Sequence, residues 1–252
     1  MQGHIAVALH LLGAGANPNY SPKGKKVQRM GKLVDKRDKK SIFQSSPLHL
    51  ACIKGYDNLV AALIKSGART KVPDAAGVLP LLLNCSSKDG QTSQSSDDED
   101  ERRLRIARLL LEYSDVPLSA KDASRQTVLH AGARSGHPKL LRYLMSSWTK
   151  AGDEGKIHIY PAGIKGGRYD WQDRWFRTPV HWAVLNGNVE ALAILLEGGC
   201  SPNPCRPKAS VVSKKTSAAL ESPIEICERI HGDTEKGVAI RKLLEDRTDG
   251  ES

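Results

Sequence analysis

The chain has 252 residues, a formal net charge of +10 at pH 7 and aromatic residues at only 5% of its positions. No stretch of about 18 consecutive apolar residues occurs, so the sequence predicts no membrane-spanning helix. Its five cysteines lack the paired spacing of a disulfide framework or a zinc site. We therefore expect an intracellular protein, cytoplasmic or nuclear, in a reducing compartment.

The first segment contains one apolar helical run, residues 5–12, which is followed by Gly15 and Ala16. A helix this short is marginal by itself and needs neighbours to cover its apolar face. Further along the chain, runs of this kind recur as the second helix of a repeated helix pair. The first helix of that pair is absent here, so we expect the apolar face of this helix to be exposed. The expectation is that the sequence is a fragment, has a mispredicted start, or belongs to a longer array.

A strongly basic stretch follows. Residues 23–40 carry nine Lys and Arg against two Asp, which gives +7 of the formal +10 charge. The simplest interpretation is a solvated loop between repeats, with no function of its own. The functional alternatives are a nuclear-import signal, an acidic protein partner, or nucleic-acid phosphate. Nucleic acid is not favoured, because few aromatic residues are interleaved for stacking on bases.

A short motif occurs three times: SPLHLA at 46–51, TVLHAG at 127–132 and TPVHWA at 178–183. Its first residue, Ser or Thr, suits a helix N-cap. Proline suits the first helical turn, because the amide that it lacks would have no intrahelical partner there. Each motif is followed, four residues later, by a glycine that can take the positive φ of a helix end: Gly55, Gly136 and Gly187.

A second helical run follows each of these glycines. In the third copy, residues 189–196 place apolar side chains three, four and seven positions apart, which forms one stripe on a helix. Two helices this short must stack on neighbours to be stable. The pattern therefore predicts an array of helix pairs.

This arrangement resembles the ankyrin repeat, whose pattern is a β-turn, Thr-Pro-Leu-His-x-Ala, a Gly-His turn, a second helix ending in Leu-Leu, and Gly-Ala. The resemblance implies an all-α solenoid of helix-turn-helix repeats with β-turn or hairpin loops and long insertions. It also implies that His49, His130 and His181 form hydrogen bonds within the turn scaffold and are not catalytic. Leu82 and Glu225 stand at this position in two further repeats, which predicts looser turns there.

The recurrence divides the chain into repeats and insertions. Only the interval from Ser46 to Leu79 keeps the expected period of about 33 residues. The predicted segments are a partial first repeat (1–19), a basic loop (20–44), a repeat (45–73), a repeat with an acidic insertion (74–121), a repeat (122–148), an insertion (149–170), a repeat (171–204), an insertion (205–221), a degenerate last repeat (222–246) and a tail (247–252).

The acidic insertion, residues 86–101, has no apolar side chain to bury, so we expect it to be disordered. The helical pattern resumes at residues 104–112. Ser95 and Ser96 precede five consecutive acidic residues and resemble sites of an acid-directed kinase. The alternative is a loop that only increases solubility.

The resemblance also indicates where a partner would bind. Positions that vary freely in the family lie at the turn before the first helix and just before the glycine that ends it. Trp and Arg are the residue types that dominate interface hot spots. We therefore favour Arg174, Trp175, Phe176 and Arg177, although Trp175 or Phe176 could instead pack under the preceding insertion. The further candidates are Ile53, Lys54, Ala75, Ala76, Val78, Ala123, Ser124, Gln126, Arg134, Ser135, Leu185 and Asn186.

We find no catalytic constellation in the sequence. It has no paired carboxylates, no Ser or Cys with a His and Asp, and no phosphate-binding loop. The leading hypothesis is a non-catalytic scaffold or adaptor, with no cofactor or metal, that is monomeric or part of a longer chain and binds a protein through its hairpin tips and groove. The alternatives are the substrate-recruiting region of a larger enzyme, such as a ubiquitin ligase or kinase, and a nuclear or nucleic-acid-associated factor that uses residues 23–40.

Overall fold

The computed structural model describes residues 2–20, 45–74, 77–86, 96–113, 118–150, 170–204 and 221–248. The chain divides into two compact units, residues 1–123 and 124–252. The helices of the first unit are α1 (Gln2–Gly13), α2 (Pro47–Lys54), α3 (Asp57–Lys65), α4 (Pro80–Ser86) and α5 (Ser96–Glu112). Those of the second are α6 (Val128–Ser135), α7 (Pro138–Lys150), α8 (Pro179–Leu185), α9 (Val189–Glu197), α10 (Pro223–Ile230) and α11 (Glu235–Thr248).

The predicted all-α array of stacked helix pairs is confirmed. In the first unit, α2 pairs with α3 and α4 pairs with α5, while α2 packs on α4 and α3 packs on α1 and α5. The interior between these layers is formed by fully buried aliphatic side chains, for example Leu48, Leu63, Ile106 and Leu110. Helix α1 touches this unit through α3, and its Val7 and Leu11 are exposed.

The second unit has the same construction. Its first helices α6, α8 and α10 form one row, and its second helices α7, α9 and α11 form another. Leu129, Leu141, Leu144, Leu192 and Leu195 are completely buried between the two rows. Burial of one such leucine contributes about 1.5–3 kcal/mol, so stacking is what makes helices of this length stable. Among the described helices, none is both long and apolar enough to cross a bilayer.

The first helices begin with the predicted histidine scaffold. The backbone N–H groups of Ser46, Thr127 and Thr178 donate to Nδ1 of the histidine three residues later, over 3.3, 3.1 and 3.1 Å. The buried His130 also donates from Nε2 to the carbonyl of Arg177 over 3.1 Å and so joins successive repeats. Each histidine satisfies a backbone group that a helix start leaves without a partner.

The last repeat differs from the expectation of a looser turn. Glu225 replaces the histidine and performs the same task, because its Oε2 accepts from the backbone N–H of Ser222 over 2.7 Å. In return, the N–H of Glu225 donates to the Ser222 hydroxyl over 3.4 Å. A carboxylate at this position completes a capping box as well as an imidazole does.

Glycines end three of the first helices, as predicted. Gly55, Gly136 and Gly187 have φ of 67°, 71° and 63°, in the left-handed region that side chains with a Cβ rarely adopt. Space is also restricted at these positions. A Cβ on Gly136 would lie 2.8 Å from Oδ1 of Asn188, and one on Gly187 would lie 3.0 Å from Cε1 of His231.

The side chains that crowd these glycines come from the following repeat and cap the helix ends. Asn188 donates from Nδ2 to the carbonyls of Ala133 and Arg134 over 2.7 and 3.0 Å. His231 donates from Nε2 to the carbonyl of Val184 over 2.6 Å. The final carbonyls of α6 and α8, which have no partner within their own helices, are therefore satisfied by the neighbouring repeat.

A buried arginine does the same for α2. Arg103 is completely buried and donates to the carbonyls of Cys52 and Ile53 over 2.5 and 3.1 Å. Its guanidinium also pairs with Glu99 at 3.3 Å. A cation at a helix C-terminus is favourable because the last carbonyls carry partial negative charge.

The acidic segment is a correction to the sequence analysis. Residues 96–101, which we expected to be disordered with the rest of 86–101, form the first turns of α5. Acidic side chains in a first turn interact favourably with the helix dipole, and Glu99 gains the ion pair with the buried Arg103 four residues later. Residues 87–95 lie outside the described residues, as do the basic stretch 23–40 and most of the later insertions.

The buried arginine generates a stability prediction. We expect Arg103→Met to lower the free energy of unfolding by about 2–4 kcal/mol, because it leaves the end of α2 and the Glu99 carboxylate without their cation. The matched control is Arg105→Met on the same helix, whose guanidinium is half exposed and forms a surface ion pair with Asp57. Arg105→Met should lower the free energy of unfolding by less than about 1 kcal/mol. Urea unfolding measures both variants, and an equal loss of unfolding free energy in the two would contradict the capping role of Arg103.

The buried thiols generate a pH prediction. Burial raises the pKa of Cys85 from its usual 9.0 to about 12, although the nearby Arg103 cation opposes the shift. The folded state therefore favours the neutral thiol. The resulting stability is fully present below pH 9.0 and is lost as the pH rises towards 12.

We expect the free energy of unfolding of the wild-type protein to fall with pH above 9.0 more steeply than that of Cys85→Ala. The difference in slope should approach about 1.4 kcal/mol per pH unit. Urea titrations of both proteins at a series of pH values measure it. Two parallel curves, offset only by the lost packing of the side chain, would contradict the prediction.

Candidate functional site

The candidate site begins at the turn that precedes α8. Asp173 and Arg177 face each other across this turn, and the N–H of Asp173 donates to the carbonyl of Arg177 over 3.0 Å. Phe176 has φ of 61°, in the left-handed region, at the position where the family prefers glycine. Such a conformation is unfavourable for a residue with a Cβ, so the surrounding hydrogen bonds must hold it.

The Asp173 carboxylate supplies those hydrogen bonds. It is completely buried, and its Oδ1 accepts from the backbone N–H groups of Trp175 and Arg177 over 2.8 and 3.0 Å. Oδ2 accepts from the indole Nε1 of Trp182 over 3.0 Å and from Nε2 of Gln126 over 3.4 Å. One buried anion thus fixes the turn, the first turn of α8 and a side chain of the preceding repeat.

Around this anchor the structure gathers what we call the Arg–Trp cluster: Arg134, Arg174, Trp175, Arg177 and Trp182. The two indole rings meet edge to face, with centroids 6.5 Å apart and planes inclined by 72°. The guanidinium carbons of Arg134 and Arg177 each lie 5.5 Å from the Trp182 ring centroid. That of Arg174 lies 5.2 Å from the Trp175 ring centroid, within the range of cation–π attraction.

The cluster is accessible. Trp175 keeps 37% of its surface exposed, Arg174 is exposed, and the remaining members are half-buried. The preceding hairpin lies beside it, because the N–H of Arg174 donates to the carbonyl of Ser124 over 2.9 Å. Arg125, at the tip of that hairpin, is exposed and has φ of 62°. A row of arginine-bearing turns therefore faces solvent in the second unit.

Most of the residues favoured from sequence meet at this surface. Arg134, Arg174, Trp175 and Arg177 belong to the cluster, and the half-buried Phe176 shapes its turn. At the far end of α8, Leu185 is half-buried and Asn186 is exposed, and the amide of Asn186 donates to the carbonyl of Trp182 over 2.9 Å.

Several other candidates are either buried or belong to the first unit. Gln126 and Ser135 are only 6% and 4% exposed, so we leave them out of the proposed contact surface. Gln126 contacts Asp173, and the Ser135 hydroxyl donates to the carbonyl of Gly132 over 3.2 Å, so both have supporting roles. Ile53 is half-buried and Lys54 exposed at the end of α2, in the first unit.

The remaining candidates give less information. Ala75, Ala76 and Ser95 lie outside the described residues, and Ser96 is the first residue of α5. Val78 is half-buried, and its N–H donates to Oδ1 of Asp74 over 2.9 Å. The possibility that Trp175 or Phe176 packs under the insertion concerns residues 151–169, which are also outside the described ranges.

Of the two residues that hold the cluster together, sequence reasoning missed Asp173 and left Trp182 undecided between the groove and the space between helices. A signal for the aspartate was present, because Asp74, Asp122 and Asp173 each stand five residues before the residue that caps a first helix. Asp74 accepts from Val78 as Asp173 accepts from Arg177, so the recurrence reflects a shared turn. Trp182 directly follows the scaffold histidine, and the sequence alone did not decide which way it points.

The cluster can offer a ligand three kinds of contact. Its side chains offer N–H donors, positive charge and aromatic surface, and its one carboxylate is occupied by four N–H donors. In the described part of the chain, no group of His, Cys, Asp and Glu side chains has the arrangement of a metal site.

Comparisons with known proteins agree with this fold. The ankyrin repeat family matches residues 44–75 and 176–206, the second range including two members of the cluster, Arg177 and Trp182. The chain is 27% identical to Inversin of Canis lupus familiaris over 173 residues. This alignment covers 60% of the chain and 15% of Inversin. The chain is 24% identical over 176 residues to the E3 ubiquitin-protein ligase XBAT32 of Arabidopsis thaliana, covering 63% and 30%.

A third relative is the NAD-dependent deacetylase sir2B of Dictyostelium discoideum, at 26% identity over 175 residues, or 62% of this chain and 20% of that protein. The chain thus spans less than a third of the length of each of these relatives. The matched repeats, the histidine-capped first helices and the stacked helix pairs together identify the chain as an ankyrin-repeat protein.

Proposed function

We propose that the chain is a non-catalytic protein-interaction module of the cell interior that binds a protein partner through the Arg–Trp cluster. The observation that carries this proposal is the exposed Trp175, flanked by arginines and fixed from below by the buried Asp173. Trp and Arg contribute most to interface hot spots, since they combine a large contact area with directed hydrogen bonds.

Rigidity supports the same proposal. Binding normally costs conformational entropy, because interface side chains must lose rotamer freedom. Here the backbone of the turn is held by two hydrogen bonds to Asp173, and three guanidinium groups rest against indole rings before any partner arrives. Less ordering therefore remains to be done on binding, and more of the contact energy appears as affinity.

The test is affinity capture with the intact chain beside Trp175→Ala, followed by titration of the recovered partner. We expect the substitution to weaken binding at least about tenfold, or more than about 1.4 kcal/mol, because it removes the exposed ring of the cluster. Thermal unfolding should be nearly unchanged, since this side chain donates no hydrogen bond in the described part of the chain.

The matched control is Tyr113→Ala, which removes an aromatic side chain that is 56% exposed in the first unit. It should leave partner recovery unaltered. Equal recovery from the wild type and Trp175→Ala, with both proteins folded, would reject the cluster as the binding surface and leave residues 23–40 and the insertions as the remaining candidates.

A second candidate is that the module recruits substrates for a larger enzyme. It is favoured by the relatives named as ubiquitin ligases, XBAT32 and the probable ligase XBOS32 of Oryza sativa subsp. japonica, of which the chain spans 30% and 32%. The size of the endogenous polypeptide, detected with an antibody against α9, tests this. A product well above 27.5 kDa would support it, and a product of 27.5 kDa would reject it.

A further inference from the structure

We propose that the Arg–Trp cluster recognises a carboxylate-rich, acidic segment of the protein partner. This inference rests on the proposed function and specifies the chemistry of the partner. The first observation is positive charge that has no ion-pair partner. In the described part of the chain, the Arg125, Arg174 and Arg177 guanidinium groups form no ion pair. The buried carboxylate beneath them, Asp173, has four N–H donors within hydrogen-bonding distance of its two oxygens.

The positions of the guanidinium groups favour carboxylates. A guanidinium that rests against an aromatic ring still has the N–H groups along its edge, and these match the two oxygens of a carboxylate. Arg174 and Arg177 are both placed against rings in this way. An acidic side chain that arrives at the surface therefore finds donors that are already oriented.

Arg177 adds positive charge to the same surface. Its side chain is half-buried and forms no ion pair in the described part of the chain, although its Nε is buried and cannot itself contact a partner. Positive charge that no ion pair neutralises favours an anionic ligand.

The same geometry disfavours single-stranded nucleic acid. Binding of that kind uses aromatic faces on which bases stack. In the cluster, guanidinium groups rest against both rings, two on Trp182 and one on Trp175, and the two indoles meet edge to face. The rings are therefore occupied by cations, which are suited to oxygen ligands.

The acidic run of this chain is not the occupant that we propose. Residues 97–101 lie in α5, where Glu99 pairs with the buried Arg103 and Asp100 is 2% exposed. To reach the cluster of a second copy, this run would have to leave the first turns of its helix. An acidic segment of another protein has no such cost.

The experiment uses the full chain and a fluorescein-labelled peptide of alternating glutamate and alanine, with fluorescence anisotropy as the measurement. The control peptide has glutamine in place of glutamate. We expect the glutamate peptide to bind in a salt-dependent manner, and Arg174→Gln and Arg177→Gln each to weaken its binding about tenfold. Arg174 is exposed, so its variant should fold normally, which near-ultraviolet circular dichroism can verify.

The basic residues 23–40 also attract an acidic peptide, so the decisive comparison uses a second variant with the same loss of charge. Arg142→Gln removes an exposed guanidinium on α7 that pairs with Glu197 at 3.5 Å, away from the first helices. It should change the affinity by less than about twofold. Equal effects of Arg142→Gln and Arg174→Gln would overturn the proposal.

Three further results would also overturn it: equal binding of the glutamine peptide, binding of a phosphoserine peptide but not of the glutamate peptide, or stronger cluster-dependent binding of a labelled oligothymidylate. The last two would assign the cluster to phosphate groups. If the glutamate peptide fails but a captured protein is still lost with Trp175→Ala, the proposed function stands and only its acidic specificity is rejected.

Discussion

The first helices of the described repeats are only seven or eight residues long, and this shortness constrains the whole structure. An α-helix leaves four N–H groups at its start and four C=O groups at its end without internal partners, which is most of the backbone of such a helix. In four of these five helices, a His or Glu three positions after the N-cap closes the start. Arg103, Asn188 and His231, each from the following repeat, close the ends of α2, α6 and α8. Neighbouring repeats therefore stabilise each other through polar contacts as well as through buried leucines.

The same constraint extends to the turns between repeats, where the proposed binding residues lie. A turn that is exposed to solvent cannot be held by an apolar core, so a buried aspartate at its base does this through hydrogen bonds to backbone N–H groups. At Asp173 this carboxylate also accepts a hydrogen bond from the indole of Trp182, so a scaffold contact supports the proposed recognition surface. The rigidity of the array and the proposed binding property thus have a common physical origin.

Much of the fold followed from local patterns in the sequence. The SPLHLA and TPVHWA motifs predicted helix starts, and the glycines at 55, 136 and 187 predicted left-handed helix ends, because these features depend on residues within one turn of each other. The start of α5 was predicted wrongly. Composition alone indicated disorder for residues 96–101, but the stabilising contact of Glu99 is with Arg103, whose burial depends on α2 in another repeat.

The candidate site shows the same difference between what local sequence patterns predict and what contacts between repeats decide. The sequence by itself determined that a turn rich in Arg and Trp precedes a capped helix, since every element of that statement is local. Only the tertiary structure decided that Gln126 and Ser135 are buried, and that Arg134 of one repeat meets Trp182 of the next. Contacts of this kind depend on how two helices stack and on which rotamers the packing allows. That information lies in the three-dimensional arrangement of the repeats and not in the spacing of residues within any one of them.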